Sequence, residues 1–192
     1  MLTMLVLTGL AGKIHSETLS GKERRALMTE LKQSRNDLDE TVKDLSNAQF
    51  NFTPSSKEQS IQDLLHQLAL AQHRLWSDAR QVLSQPQQKT EGSLLSDHAL
   101  PSIARESCIY FPGLKTKQLK ELNPQQALER FRDDRSAIIR YVRTTTEDVR
   151  SYHLRTPGGT MDAYQLIFLN AWLTKDCLQK IEKIKANPNF PR

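Results

Sequence analysis

Apolar residues recur along most of this chain at intervals of three and four, the spacing that gathers them on one side of an α-helix. Leu27, Leu31, Leu38, Val42 and Leu45 form the first stripe, with Lys, Arg, Asp and Glu between them. Ser20-Gly-Lys-Glu23 stands ahead of it as a capping box, in which the Ser and Glu side chains satisfy each other's free backbone donors. The first helix is therefore predicted to start near Ser20, with Phe52-Thr-Pro54-Ser-Ser as its break. A second stripe of Ile61, Leu64, Leu65, Leu68 and Leu75 follows the start signal Ser60-Ile-Gln-Asp63 and runs to about Leu83. Asn123-Pro124-Gln125-Gln126 announces a third helix, with Asn as cap and Pro in the first turn, where its missing N–H costs nothing. Leu128, Phe131, Ile138 and Val142 make its buried face, and the β-branched run Thr144-Thr145-Thr146 weakens its continuation. The last helix is predicted from Thr160, after Pro157-Gly-Gly159, to about Ala186. Leu166, Leu169, Leu173, Cys177, Ile181 and Ile184 line it, and Asn187-Pro188 stops it.

Residues 84–123 carry Pro86, Gly92, Pro101, Pro112 and Gly113 and only brief apolar patches. That is too long for a tight turn between antiparallel neighbours. It predicts a crossover connection with a short helix near Ile103. Four one-sided stripes bury one another as a bundle, so the expected fold is all-α: a four-helix bundle over 19–192 with a long crossover between helices 2 and 3. No sustained alternation is present and no strand is required.

Length and charge narrow the picture further. A chain of 192 residues with 38% hydrophobic and 26% charged residues suits one soluble core. The formal charge of +5 does not call for a nucleic-acid partner. Two cysteines, Cys108 and Cys177, without a CxxC pair exclude a zinc knuckle or a disulfide framework. Residues 2–11, LTMLVLTGLA, are apolar but too short for the ~20 residues a membrane span takes. Residues 1–18 read either as a signal peptide lacking its basic start, which would place the protein outside the cytoplasm, or as an apolar N-terminal extension of a cytoplasmic one.

Four stretches, LSGKERRALMTELKQSRNDL (19–38), QSIQDLLHQLALAQHRLW (59–76), YVRTTTEDVR (141–150) and GTMDAYQLIFLNAWLTKDCLQKIEKIKANPNFP (159–191), together resemble the DinB-like superfamily, in order and in spacing. The resemblance implies a four-helix bundle in which three histidines bind a divalent metal, one on the second helix and two four residues apart on the last. It implies thiol-dependent transferase or hydrolase activity for some members. Neutral imidazoles around a cation with an open position can activate water or a thiol. Counting from Gln59-Ser60 puts the second-helix slot at Gln67, and counting back from KANPNFP puts the other two at Leu173 and Cys177. An amide, an alkyl chain and a protonated thiol make a poor zinc or nickel site. The expectation is a protein without a metal cofactor and without catalysis, acting as a scaffold for a small molecule, a protein or a second copy of itself. The alternative is a divergent hydrolase or thiol-dependent transferase holding one zinc or nickel ion.

Other side chains invite chemistry. Cys177 shares the stripe of Leu169, Leu173 and Ile181, where a free cysteine packs as a small hydrophobe; as a nucleophile it would need a partner such as His66. His66 lies one residue from the slot, about 100° round the helix, and shares a face with His73 about 10 Å away along the axis. Asp63 with His66 offers two ligands of a makeshift site, while the plainer expectation is a solvent-facing flank. Tyr164, Gln165 and Trp172 border the family's pocket and, with His66, are expected to line a remaining cavity; the alternative for Trp172 is simple packing against another helix. Arg130, Arg132, Arg135, Arg140 and Arg143 alternate with Glu129, Asp133 and Asp134, a pattern expected on a solvated surface. His15, His98 and His153 have no companion ligand in sequence.

Overall fold

The computed structural model describes residues 19–86, 94–106, 123–156 and 159–192. The apolar N-terminal run, His15 and Cys108 lie outside them. Helix α1 spans Gly21–Val42 and begins with the predicted Ser20–Glu23 capping box. A short helix α2, Asn47–Asn51, follows, and α3 spans Ile61–Leu83 behind the box of Ser60 and Asp63. Among its described residues the crossover carries a 3-10 turn, Asp97–Ala99, that leads into α4, Leu100–Arg105, at the place predicted near Ile103. Helix α5 spans Pro124–Thr144 with Asn123 and Gln126 as its box, and α6 spans Ala163–Lys185.

Side-chain contacts fix the directions of the four long helices. Arg24 near the start of α1 donates to the Thr145 carbonyl at 2.8 Å, and Arg132 near the start of α5 reaches Asp39 at 2.8 Å, so α1 and α5 run antiparallel. Lys175 pairs with Glu30, and Lys185 donates to the Thr41 carbonyl, so α1 and α6 run the same way. Gln72 bonds to the Phe131 carbonyl and Trp76 packs on Tyr141, which makes α3 and α5 parallel neighbours. Parallel neighbours cannot be joined by a tight turn; the chain must return along the bundle first. The length of the crossover follows from that requirement.

Two expectations about the backbone need correction. Strands β1, His153–Thr156, and β2, Gly159–Asp162, form an antiparallel hairpin where none was expected. The last helix accordingly starts at Ala163, not Thr160, because Asp162 is its N-cap: its side chain accepts from the Gln165 N–H and Gln165 answers from the other side. Gly159 sits at φ +128°, a conformation L side chains rarely adopt, and a Cβ there would come within 3.0 Å of Leu95. Leu95 in turn donates its N–H to the Thr160 carbonyl at 2.9 Å, which docks the crossover on the hairpin.

Five of the buried polar side chains gather at one level of the core, around Arg135. Arg135 of α5 is fully buried and spends its five N–H donors on all three neighbouring directions. Nε donates to Gln72 Oε1 of α3 at 2.7 Å. Nη1 donates to the Leu31 carbonyl and Ser34 Oγ of α1 at 3.0 and 2.8 Å. Nη2 donates to the Asn170 carbonyl and Thr174 Oγ1 of α6 at 3.0 and 2.8 Å. The guanidinium lies 4.9 Å from the Phe131 ring centroid. Every acceptor is neutral. Burial lowers the Arg135 pKa to about 9, which leaves the group charged at neutral pH. The expected solvated face therefore holds for Arg130, Arg132, Arg140 and Arg143, which are exposed, and fails for Arg135.

Candidate functional site

Three side chains were assigned to the family's metal slots, and the fold places them on α3 and α6. Leu173 and Cys177 are buried on α6, and Gln67 is half-buried on α3. Helix α6 runs antiparallel to α3, and the Cys177 thiol points at the Leu64 carbonyl, one turn before Gln67, with sulfur 3.9 Å from the oxygen. Burial pushes the Cys177 pKa up to about 12, so at neutral pH it carries its proton. A protonated thiol is a poor nucleophile, and to ligate a metal it would first have to give up that proton. Leu173 brings no donor atom at all. This set fits a divalent cation poorly: it offers one weak amide oxygen, one buried protonated thiol and no third donor. Among the described residues no group of three His, Cys, Asp and Glu side chains could hold a metal ion.

The histidine expectations change. His66 was expected on a solvent-facing flank and is instead buried, with Nε2 lacking a hydrogen-bond partner among the described residues. His73, two turns on along the same flank, pairs with Asp134 of α5 at 3.0 Å and keeps 43% of its side chain exposed, so α5 covers that flank only in part. Cys177 meets α3 on the other flank, through Leu64. The Cys177 thiol and the His66 ring make no hydrogen bond to each other among the described residues. Asp63 is committed as well: its carboxylate accepts from the Ser60 N–H at 3.0 Å and the Ser60 hydroxyl at 2.7 Å.

The pocket-bordering residues belong to a different cluster, at the end of the bundle where α1 and α6 both begin. Tyr164 and Gln165 are buried there, and Trp172 is half-buried two turns along α6. Tyr164, Phe168 and Trp172 stack as a ladder, with centroid separations of 5.6 and 6.3 Å. Lys175 closes it at one end, 4.6 Å from the Trp172 ring, and Arg150 at the other, 3.6 Å from the Tyr164 ring. Tyr164 and Trp172 pack against Phe168 and the two cations.

Arg150 is the centre of that end. It donates to Glu23 of α1 at 3.0 Å, to both oxygens of Asp97 in the crossover at 3.0 and 2.7 Å, and to Asp162 at 2.9 Å. Burial works against its charge, but the three carboxylates outweigh that and hold its pKa above the ordinary value. The Arg150 hydrogen bonds hold Asp97 below its usual range. Desolvation pulls Asp162, the most buried of the three, upward despite the same guanidinium. Sequence reasoning missed this cluster because its members come from four separate segments.

Residues 30–172 match the DinB superfamily. The chain belongs to the DinB superfamily. The match takes in Gln67 and stops one residue short of Leu173, so the two α6 slots rest on the backward count from KANPNFP. Among solved structures the superfamily chain is similar to YfiT from Bacillus subtilis, described as "a probable metal-dependent hydrolase with an unusual four-helix bundle topology". The two share 12% identity, with 91% of this chain and 93% of that one covered and a TM-score of 0.64, which establishes a common fold. No curated protein matches the chain in sequence. Among the described residues, no helix is long and apolar enough to cross a membrane.

Proposed function

We propose that this DinB-superfamily bundle has given up the superfamily's metal chemistry and works as a binding scaffold for a small molecule or a protein. The observation that carries the reading is the donor set at the former slots: an amide at Gln67, an alkyl chain at Leu173, and at Cys177 a thiol kept protonated by burial. Zinc or nickel would have to displace packed apolar groups there and find one oxygen in return. The competing reading, a divergent metal-dependent hydrolase or thiol-dependent transferase, draws support from the description given to YfiT.

Thiol reactivity tests the reading. In a Cys108→Ser background, native Cys177 is expected to react with a thiol reagent at least about 100-fold more slowly than in the unfolded chain, because both exposure and thiolate are scarce. Rapid stoichiometric labelling of the native protein would restore thiol chemistry to the site and defeat the scaffold reading.

A further inference from the structure

Helices α1 and α5 run antiparallel in a fixed register. Arg24 donates to the Val142 carbonyl and, at 2.8 Å, to the Thr145 carbonyl; Arg135 donates to the Leu31 carbonyl at 3.0 Å; Arg132 meets Asp39 at 2.8 Å. The start of α1 therefore lies beside the end of α5. On α1, Arg25, Met28, Lys32 and Arg35 are spaced by three and four and lead on to Asp39, so they share the flank turned to α5. On α5, Ser136, Ile139 and Arg143 follow Arg132 by the same spacing and share the flank turned to α1, with Arg140 one step outward. Arg25, Lys32, Arg140 and Arg143 are exposed, Arg35 and Met28 are half-buried, and Ile139 is buried.

Charge is divided along this face. Between Arg24 and Asn36, α1 holds one carboxylate, Glu30, which turns to α6 and pairs with Lys175. Between Arg135 and Thr146 there is none. Arg25, Lys32, Arg140 and Arg143 make no ion pair among the described residues, and Arg35 hydrogen-bonds to the amide of its neighbour Asn36. Toward the other end of the same two helices the signs mix. Asp39 meets Arg132, Glu40 meets Lys43, and Glu129 and Asp133 stand exposed.

We propose that the half of this face lined by Arg25, Lys32, Arg35, Arg140 and Arg143 is a docking surface for a short acidic segment of a protein partner. Cations held close on two helices without carboxylates repel one another, and an anionic guest relieves that repulsion. Arginine forks accept carboxylates through paired donors, which suits Asp and Glu side chains. From Arg25 to Arg35 the strip is about 15 Å long, the reach of about five residues of extended chain. Half-buried Met28 gives such a segment one apolar contact between the charges. A longer polyanion fits worse, because a duplex or an anionic bilayer laid along the face continues onto Glu129 and Asp133. Among the described residues Leu94 is the one exposed large hydrophobic, so this face offers no ring to stack a base and no wedge to enter a membrane. The surface uses neither helix of the former slots and stands or falls independently of the metal question.

Fluorescence anisotropy of a labelled glutamate peptide, titrated with the full chain at low salt, tests the surface. The wild type is expected to bind the peptide, and Arg140→Glu with Arg143→Glu to weaken binding by about tenfold or more. Arg25→Ala with Lys32→Ala, on the other helix, is expected to weaken it in the same direction. Arg130→Glu with Lys183→Glu changes the net charge as much as the first pair at exposed positions off the surface, and should leave binding within about twofold. No binding by the wild type would overturn the docking surface. Equal weakening by the control pair would overturn it too, since net charge alone would then account for the attraction. A DNA duplex or phosphatidylserine vesicles bound more tightly than the peptide, with loss in the same variants, would overturn the assignment to a protein segment.

Discussion

Arg135→Ala is expected to lower the unfolding free energy by about 3–5 kcal/mol, measured by urea denaturation at neutral pH. The size follows from what the guanidinium leaves behind. Gln72 Oε1 loses its donor in the middle of the core while its Nε2 stays bound to the Phe131 carbonyl. The Leu31 carbonyl keeps its intrahelical bond and the Thr174 hydroxyl keeps its bond to the Asn170 carbonyl, so Gln72 Oε1 is the acceptor left without a donor, and an unsatisfied buried group costs about 1–3 kcal/mol. A cavity opens beside Phe131 as well. One effect works the other way: a buried charge without a carboxylate partner carries a desolvation cost of several kcal/mol, and removing it gives that back. The stranded acceptor and the cavity outweigh this in the alanine variant. They do not in a variant that removes both, so Arg135→Met combined with Gln72→Leu should recover most of the loss. Arg135→Lys should fail almost as badly as alanine, because one ammonium cannot span acceptors on three helices. A loss under about 1 kcal/mol for Arg135→Ala would mean that water fills the site and that the hub is not a tie.

The second large effect concerns the slots. Converting Gln67→His, Leu173→His and Cys177→His together should create a divalent-metal site. Positions 173 and 177 lie one turn apart, and the thiol at 177 already faces α3 one turn from 67. Three imidazoles with an open position make a well-known zinc arrangement. At a zinc concentration about 100 times its dissociation constant, the triple variant should gain about 2.7 kcal/mol of stability, seen as a rise in Tm that chelator reverses. The wild type should show no such rise. A folded triple variant without metal affinity would show that the register assigned to α6 is wrong.

Helix starts were legible because a cap is a local bargain. Ser20 with Glu23, Ser60 with Asp63 and Asn123 with Gln126 are each three residues apart, and all three boxes form. The start of α6 obeys the same rule through Asp162 and Gln165, but the hairpin in front of it shifts the boundary from Thr160. Two four-residue strands give too few alternations to register as a pattern. The buried hub shows a different kind of failure. Arg135 fills the gap in the stripe between Phe131 and Ile138, and Gln72 sits between Leu68 and Leu75. Ser34 lies between Leu31 and Leu38, and Thr174 between Asn170 and Cys177. A polar residue on the apolar stripe of each long helix is a readable sign of one buried network. Reading charge alternation along α5 alone hid it. His66 was misplaced for a related reason, since the apolar stripe alone does not reveal that a polar neighbour outside it is buried as well.

Metal content of the purified protein bears most directly on the proposed absence of metal chemistry. Produced without a histidine tag and analysed by mass spectrometry for zinc, nickel and manganese, the protein is predicted to carry well under a tenth of an equivalent of any of them, on the order expected for adventitious metal where no thiolate or imidazole set is available. One tightly held equivalent per chain, retained through chelator treatment and bound between α3 and α6, would contradict it.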